Sequence, residues 1–302
     1  MIRMAEVLRF AGQSRIDVGI AVQEVILTIL LQRIFTSPLG DRLAFKGGTA
    51  LRKLVFGAAG RFSEDLDFAV IADDHELAQL ELEELLVNQA GDEVSVSLVR
   101  SEIAGPGTMQ SSFRFESPIG AGRFEVDATS SERPVLLGAR RQHLAAQPYF
   151  AALGFVVSDV LAVRSCEMAA EKLCAIHRRS ENRNPKDIWD LWKWLSVASP
   201  REAEVLRILW PSRLWLDGVS WRGEGWFDRL TDRQFNWDRL RPLVPAGRLD
   251  AEQIVSELKA RVRPWIDDDP DGILADAGDR RYGARPHVDR TVECARELAD
   301  RL

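Results

Sequence analysis

Few cysteines, no long apolar run and no basic surplus narrow the reading of this 302-residue chain before any motif is considered. The three cysteines, Cys166, Cys174 and Cys294, are an odd number without a paired metal-binding spacing. That excludes a disulfide scaffold and fits a reducing cytoplasm, with the thiols buried as small apolar groups. The longest apolar run, Val25 to Leu31, is far short of the roughly 20 residues a bilayer span needs. The start M-I-R-M-A-E-V-L-R-F lacks the apolar stretch of an export signal, so no membrane partner is expected. A formal net charge of −6 does not advertise DNA binding, although a local basic groove is compatible with it. There is no internal repeat and no low-complexity tract, and D-D-D-P-D at 267–271 reads as a solvated loop.

The two halves of the chain are built differently. Residues 1–160 carry 15 Lys and Arg against 21 Asp and Glu, whereas residues 161–302 carry 25 of each, so the acidic surplus lies in the first half. All nine tryptophans follow position 188. The length accommodates two domains with cores of their own, which we place at 1–160 and 161–302.

Hydrophobic spacing predicts a buried helix over Val18 to Phe35, a short strand at Leu43 to Phe45, a Gly47-Gly48 turn, and a helix from Thr49 to Val55 with Thr49 near its N-cap. A second strand follows at Leu66 to Ile71, then a helix from His75 to about Ala90 with an acidic face. Alternating segments at Glu93 to Val99, Ser111 to Phe115 and Arg123 to Thr129 have the period of a sheet with one solvated face. From Cys166 the pattern is helical, near 165–179, 186–197, 202–210, 251–263 and 287–302. The segment Pro211 to Pro245, rich in Trp, Gly and Arg, fits no single element.

Within R-F-S-E-D-L-D-F at 61–68, Asp65 and Asp67 sit two apart on a strand and share a face. Carboxylates that close repel unless a cation neutralises them, and a hard divalent cation completed by water and phosphates suits them. Two such ions would support in-line displacement at phosphorus. The strand R-F-E-V-D-A-T offers Glu125 and Asp127 as a third acid, and alternation alone does not choose between them. The preceding Gly-Gly turn lets backbone N–H groups approach a phosphate, with hydroxyls from Thr49 and Ser63 nearby.

These residues carry a resemblance. G-G-T-A-L followed by R-F-S-E-D-L-D-F resembles the signature of the AbiEii/AbiGii toxin family of minimal nucleotidyltransferases, which includes the MenT toxins and belongs to the DNA polymerase β-like superfamily. The family's two further motifs, a helical lysine and R/K-D-h-x-D-h with h apolar, match M-A-A-E-K-L-C-A-I-H-R-R and N-P-K-D-I-W-D-L. The four motifs cover residues 45 to 195, and the last hundred residues carry none.

The resemblance implies an α+β fold: a polymerase β-like mixed sheet with helices, followed by a mostly α-helical C-terminal domain. It implies that Gly47, Gly48, Thr49 and Ser63 cradle an NTP, and that Asp65, Asp67 and Asp127 bind Mg²⁺ (two ions, with Mn²⁺ as a substitute). Lys172 would meet the β- and γ-phosphates, with Asp187 as a further essential acid supported by Asp190. Asp127 is favoured over Glu125 by its family-like distance to the following Ser-Ser-Glu. Threonine stands where many relatives have serine after the glycines, which keeps a hydroxyl. The implied activity is nucleotidyl transfer to the 3′ end of tRNA by a toxin with a cognate antitoxin. Alternatives are a protein or small-molecule acceptor, or a non-catalytic nucleotide-binding module. Competing structural readings are a solvent-facing Lys172, Asp187 as a helix cap, and tryptophans that pack rather than stack on RNA. Trp221, Trp226 and Trp237 nonetheless interleave with Arg222, Arg229, Arg233, Arg239 and Arg241.

Overall fold

The computed structural model describes residues 3–72, 74–87, 93–105, 107–155, 159–178, 184–219, 227, 230–245, 249–267 and 285–302. Residues 268–271 of the acidic run, and Trp221, Arg222, Trp226 and Arg229, lie outside the described residues. The chain divides into two compact units, Met1–Val163 with Pro242–Gly247, and Arg164–Arg241 with Arg248–Leu302.

The first unit is a seven-stranded mixed sheet with helices, as the fold resemblance implies. Its strands are β1 (Leu43–Lys46), β2 (Asp65–Val70), β3 (Ser95–Gly105), β4 (Thr108–Ser117), β5 (Gly120–Thr129), β6 (Ala139–His143) and β7 (Asp159–Val163), in the order β3-β4-β5-β2-β1-β7-β6. β2 pairs parallel to β5, β1 pairs parallel to β7, and β1 pairs antiparallel to β2. Alternation sends Leu66, Phe68, Phe113, Phe115, Phe124 and Val126 to one buried face. α2 (Val18–Thr36) and a later helix pack on it, and α1 (Met4–Ser14) packs on α2. Phe35 of α2 meets Phe45 and Phe68, and α4 (His75–Val87) donates from Gln79 Nε2 to the carbonyl of Ala128 at 3.0 Å. α2 is apolar nearly all round because it is a core helix: Val25, Ile26, Leu27, Leu30 and Leu31 are fully buried, each worth about 1.5–3 kcal/mol. Its length and composition would suit a membrane span, but most of it is buried inside the fold. Asp17 caps its start by accepting from the Gly19 N–H at 2.7 Å.

After β1 the chain makes one α turn, α3 (Gly47–Ala50), then a π turn over Leu51–Phe56. The π turn brings Arg52 and Lys53 inward onto Glu24 of α2, at 3.1 and 2.9 Å. Thr28 and Tyr149 complete this fully buried network. Burial opposes ionisation of Glu24, but the Arg52 and Lys53 charges outweigh it and hold the carboxyl down to about 2. Arg52 also donates to the Gly60 carbonyl at 2.5 Å and stacks over Phe62 at 3.9 Å, so the network fixes the loop that leads into β2.

The second unit is helical: α6 (Ser165–Arg178), α7 (Lys186–Val197), α8 (Pro200–Leu216), Ala251–Asp267 and Arg285–Asp300; the short α5 (Phe150–Leu153) belongs to the first. Trp189, Trp194 and Trp210 are core side chains. α8 starts with a capping box between Ser199 and Glu202 and runs through Pro211. Buried Arg213, ion-paired with Glu167, Glu171 and Asp217, anchors the turn beyond the proline. Two expectations are corrected here. Cys294 is exposed, unlike Cys166 and Cys174, whose thiols burial pushes up, Cys166 to about 12. Asp187 is not a cap, since α7 begins at Lys186 with Pro185 at the N-cap.

Candidate active site

The Gly-Gly turn and the paired acids meet because β1 and β2 are neighbours. Lys46, the last residue of β1, stands opposite Asp67. Gly47 follows with φ +78°, and a Cβ built there would lie 1.9 Å from Asp67 Oδ2. The backbone therefore passes against the carboxylate at a distance only glycine allows. No side chain caps the first turn of α3, which leaves N–H groups of the turn for an anion. Thr49 lies inside this helix instead of at its N-cap. Its buried hydroxyl donates to the Asp65 carbonyl at 2.6 Å and to Asp65 Oδ1 at 3.2 Å, locking the helix to the start of β2. Ser63, two residues before Asp65, is 1% exposed and its Oγ has no hydrogen-bond partner.

The parallel pairing of β2 with β5 sets Asp65 against Glu125 and Asp67 against Asp127. All four side chains share the face opposite the helices. The two candidates for the third acid differ in setting. Glu125 is exposed, whereas Asp127 is half-buried and accepts from Gln110 Nε2 at 3.0 Å. Burial, against the Gln110 hydrogen bond and with the Asp65 and Glu125 charges adding to it, raises the Asp127 carboxyl above its ordinary value. Lys46 pulls the other way. Repulsion of this kind is what a bound cation relieves.

Among the described residues no three His, Cys, Asp or Glu side chains form a ready-made metal cage. The donors fit a looser arrangement: carboxylates on adjacent strands, an orphaned hydroxyl and uncapped N–H groups suit a hard cation that shares substrate phosphates and keeps water. Asp65, Asp67 and Asp127 are the residues that would hold it.

In the second unit, Lys172 on α6 is held by two acids of α7. Its Nζ lies 2.9 Å from Asp187 Oδ1 and 3.3 Å from Asp190 Oδ2. Asp187 and Asp190 are three apart on one helix face, so one ammonium meets both. Met168, Ala169, Leu173 and Ile176 of α6 are buried, and Lys172 is 15% exposed. A freely solvated lysine is excluded.

Two residues escaped the motif reading. Lys46 immediately precedes the glycines and was legible as a basic residue beside an acid pair. Gln110 was not legible, because only the β4–β5 register brings it to Asp127. A cleft of about 660 Å³, lined by His75, Gln79, Leu80, Ile103 and Met109 among others, contains none of the site residues. A smaller one of about 270 Å³ includes Ser63, Glu64 and Arg123.

A family model described as the nucleotidyl transferase AbiEii toxin of type IV toxin–antitoxin systems matches residues 29–277. No curated protein sequence matches the chain. Among solved structures, MenT4, a nucleotidyltransferase toxin from Mycobacterium tuberculosis, is similar with a TM-score of 0.81 and 24% identity over 98% of this chain and 100% of that one. JHP933 from Helicobacter pylori is similar at a TM-score of 0.52 and 15% identity, over 92% and 99% of the two chains. At these identities the structural likenesses speak for the fold.

Proposed function

The chain belongs to the AbiEii family of toxin–antitoxin nucleotidyltransferases, and we propose that it transfers a nucleoside monophosphate from an NTP to the 3′ end of tRNA, blocking aminoacylation. An NTP and a cognate antitoxin are the partners that family membership carries. The observation that supports the site assignment is the in-register Asp67 and Asp127 pair, with the Gly47 turn pressed against Asp67.

In this reading the N–H groups at Gly47 and Gly48 and the Ser63 hydroxyl receive the triphosphate, while Thr49 holds Asp65 in place. By the family motif, Lys172, oriented by Asp187 and Asp190, is the cation for the β- and γ-phosphates. Asp65, Asp67 and Asp127 would hold divalent cations, two Mg²⁺ by preference or Mn²⁺ in their place, which would offset phosphate charge and lower the barrier to in-line displacement. Gln110 and Lys46 pull the Asp127 carboxyl down against burial and the neighbouring acids. The acceptor hydroxyl loses its proton and bonds to the α-phosphorus. The bond from that phosphorus to the β-phosphate oxygen breaks, and pyrophosphate leaves.

The test is incubation with total tRNA, Mg²⁺ and each α-labelled NTP in turn, beside Asp65→Ala. Label in tRNA from one or two NTPs, absent with the variant, is the expected result. Label in protein or small molecules instead would favour the alternative acceptors. No transfer by the wild type to any acceptor would overturn the reading.

A further inference from the structure

The carboxylate face of the sheet continues from β5 onto β4, and there it carries an arrangement that stability does not favour. Arg114 and Arg123 stand directly opposite each other on antiparallel strands. They follow and precede the buried, stacked pair Phe113 and Phe124, so both project to the side of Asp127. Both are exposed. Among the described residues neither guanidinium has a carboxylate within ion-pair distance, although Glu116 and Glu125 share the face. Arg100 and Glu102 on the neighbouring strand show the contrast, paired at 2.8 Å. Like charges directly opposed across strands destabilise a sheet. An anion between them would reverse the sign of that interaction.

Strand order separates two sides of the carboxylate centre. The glycine turn follows β1, on one side of β2; the arginine pair lies on β4 and β5, on the other. Along β5, Arg123 is four residues from Asp127, about 13 Å at ~3.3 Å per residue. Arg123, though not Arg114, lines a small cleft with Ser63, Glu64, the α2 cap Asp17 and, from α2, Gln23. Arg114 lies on β4, one strand beyond Asp127 and three from the β1 strand that leads into the glycine turn. An acceptor strand that presents its terminal hydroxyl to the centre must run its phosphates away from it, and guanidinium forks match phosphate bidentately.

We propose that Arg114 and Arg123 bind the phosphate backbone of the RNA acceptor strand. This rests on the tRNA reading above and names the acceptor side of that site. The test is anisotropy of a fluorescein-labelled tRNA with a free 3′ hydroxyl, over a salt series, for the wild type, an Arg114→Gln/Arg123→Gln double variant and an Arg114→Lys/Arg123→Lys double variant. NTP binding and thermal stability are measured alongside. The glutamine variant should bind tRNA about tenfold or more weakly, with the slope of log K against log salt reduced by about 1.4–1.8 for two lost phosphate contacts. NTP affinity should be unchanged and Tm equal or higher, since repulsion is removed. The lysine variant should retain the slope. Unchanged tRNA affinity and slope, a loss of NTP affinity instead, or no tRNA binding by the wild type would each overturn the proposal. Because binding is read and not transfer, failure here leaves the labelling result standing, and failure of labelling leaves this measurement decisive.

Discussion

Gly47 carries two requirements at once, a left-handed φ and a Cα that touches a carboxylate. Alanine there costs about 1–2 kcal/mol for the backbone alone and drives Cβ into Asp67. We expect Gly47→Ala to lose transfer and to lower Tm, by activity assay and thermal melt. Asp127 behaves oppositely. Its carboxyl is raised by burial and like charges, so at neutral pH the ionised form costs stability, and that cost fades as pH falls through the raised value. Asp127→Asn should therefore melt higher than the wild type at neutral pH without added metal, with the advantage vanishing in acid. Equal Tm at neutral pH would contradict the assigned electrostatics. Asp65 and Asp67 were legible from spacing, because alternation is local. Alternation could not separate Glu125 from Asp127, because the Gln110 bond that sets Asp127 apart comes from a neighbouring strand.

At the scale of elements, the π turn after the glycines is held by one buried acid. Glu24→Gln would leave Arg52 and Lys53 buried without a counter-charge, and removal of one partner from such a pair typically costs about 3–5 kcal/mol. Urea denaturation should show a loss of that size. The folded carboxyl at about 2 lies below the ordinary 4.5, so the contribution is whole above 4.5 and is lost as pH falls toward 2. The acid limb of the stability curve should flatten over that window in the variant. α2 was legible from its apolar spacing, whereas the inward turn of Arg52 and Lys53 was not, since charged residues are read as surface until a buried partner is known. β6 was missed because A-R-R-Q-H has no alternating apolar face, as befits an edge strand with one neighbour. Pro211 suggested an end to α8, but the Arg213 ion pairs hold the helix beyond it.

For the whole molecule, the toxin class predicts a phenotype: expression should arrest growth, and Asp65→Ala should abolish the arrest at equal protein level. Unchanged arrest would move the toxic activity away from the carboxylates. The motifs between residues 45 and 195 made the chemistry legible because glycine turns, paired acids and a helical lysine are short, local patterns. The last hundred residues, with no such pattern, gave helices and tryptophans whose burial only packing could reveal. The measurement that bears most directly on the account is transfer of α-labelled nucleotide to tRNA by Asp127→Asn and Glu125→Gln, side by side with the wild type. We predict a loss of at least about 10²-fold for Asp127→Asn, as for other groups acting on transition-state charge, and a rate close to wild type for Glu125→Gln. Full activity in Asp127→Asn, or a loss confined to Glu125→Gln, would contradict it.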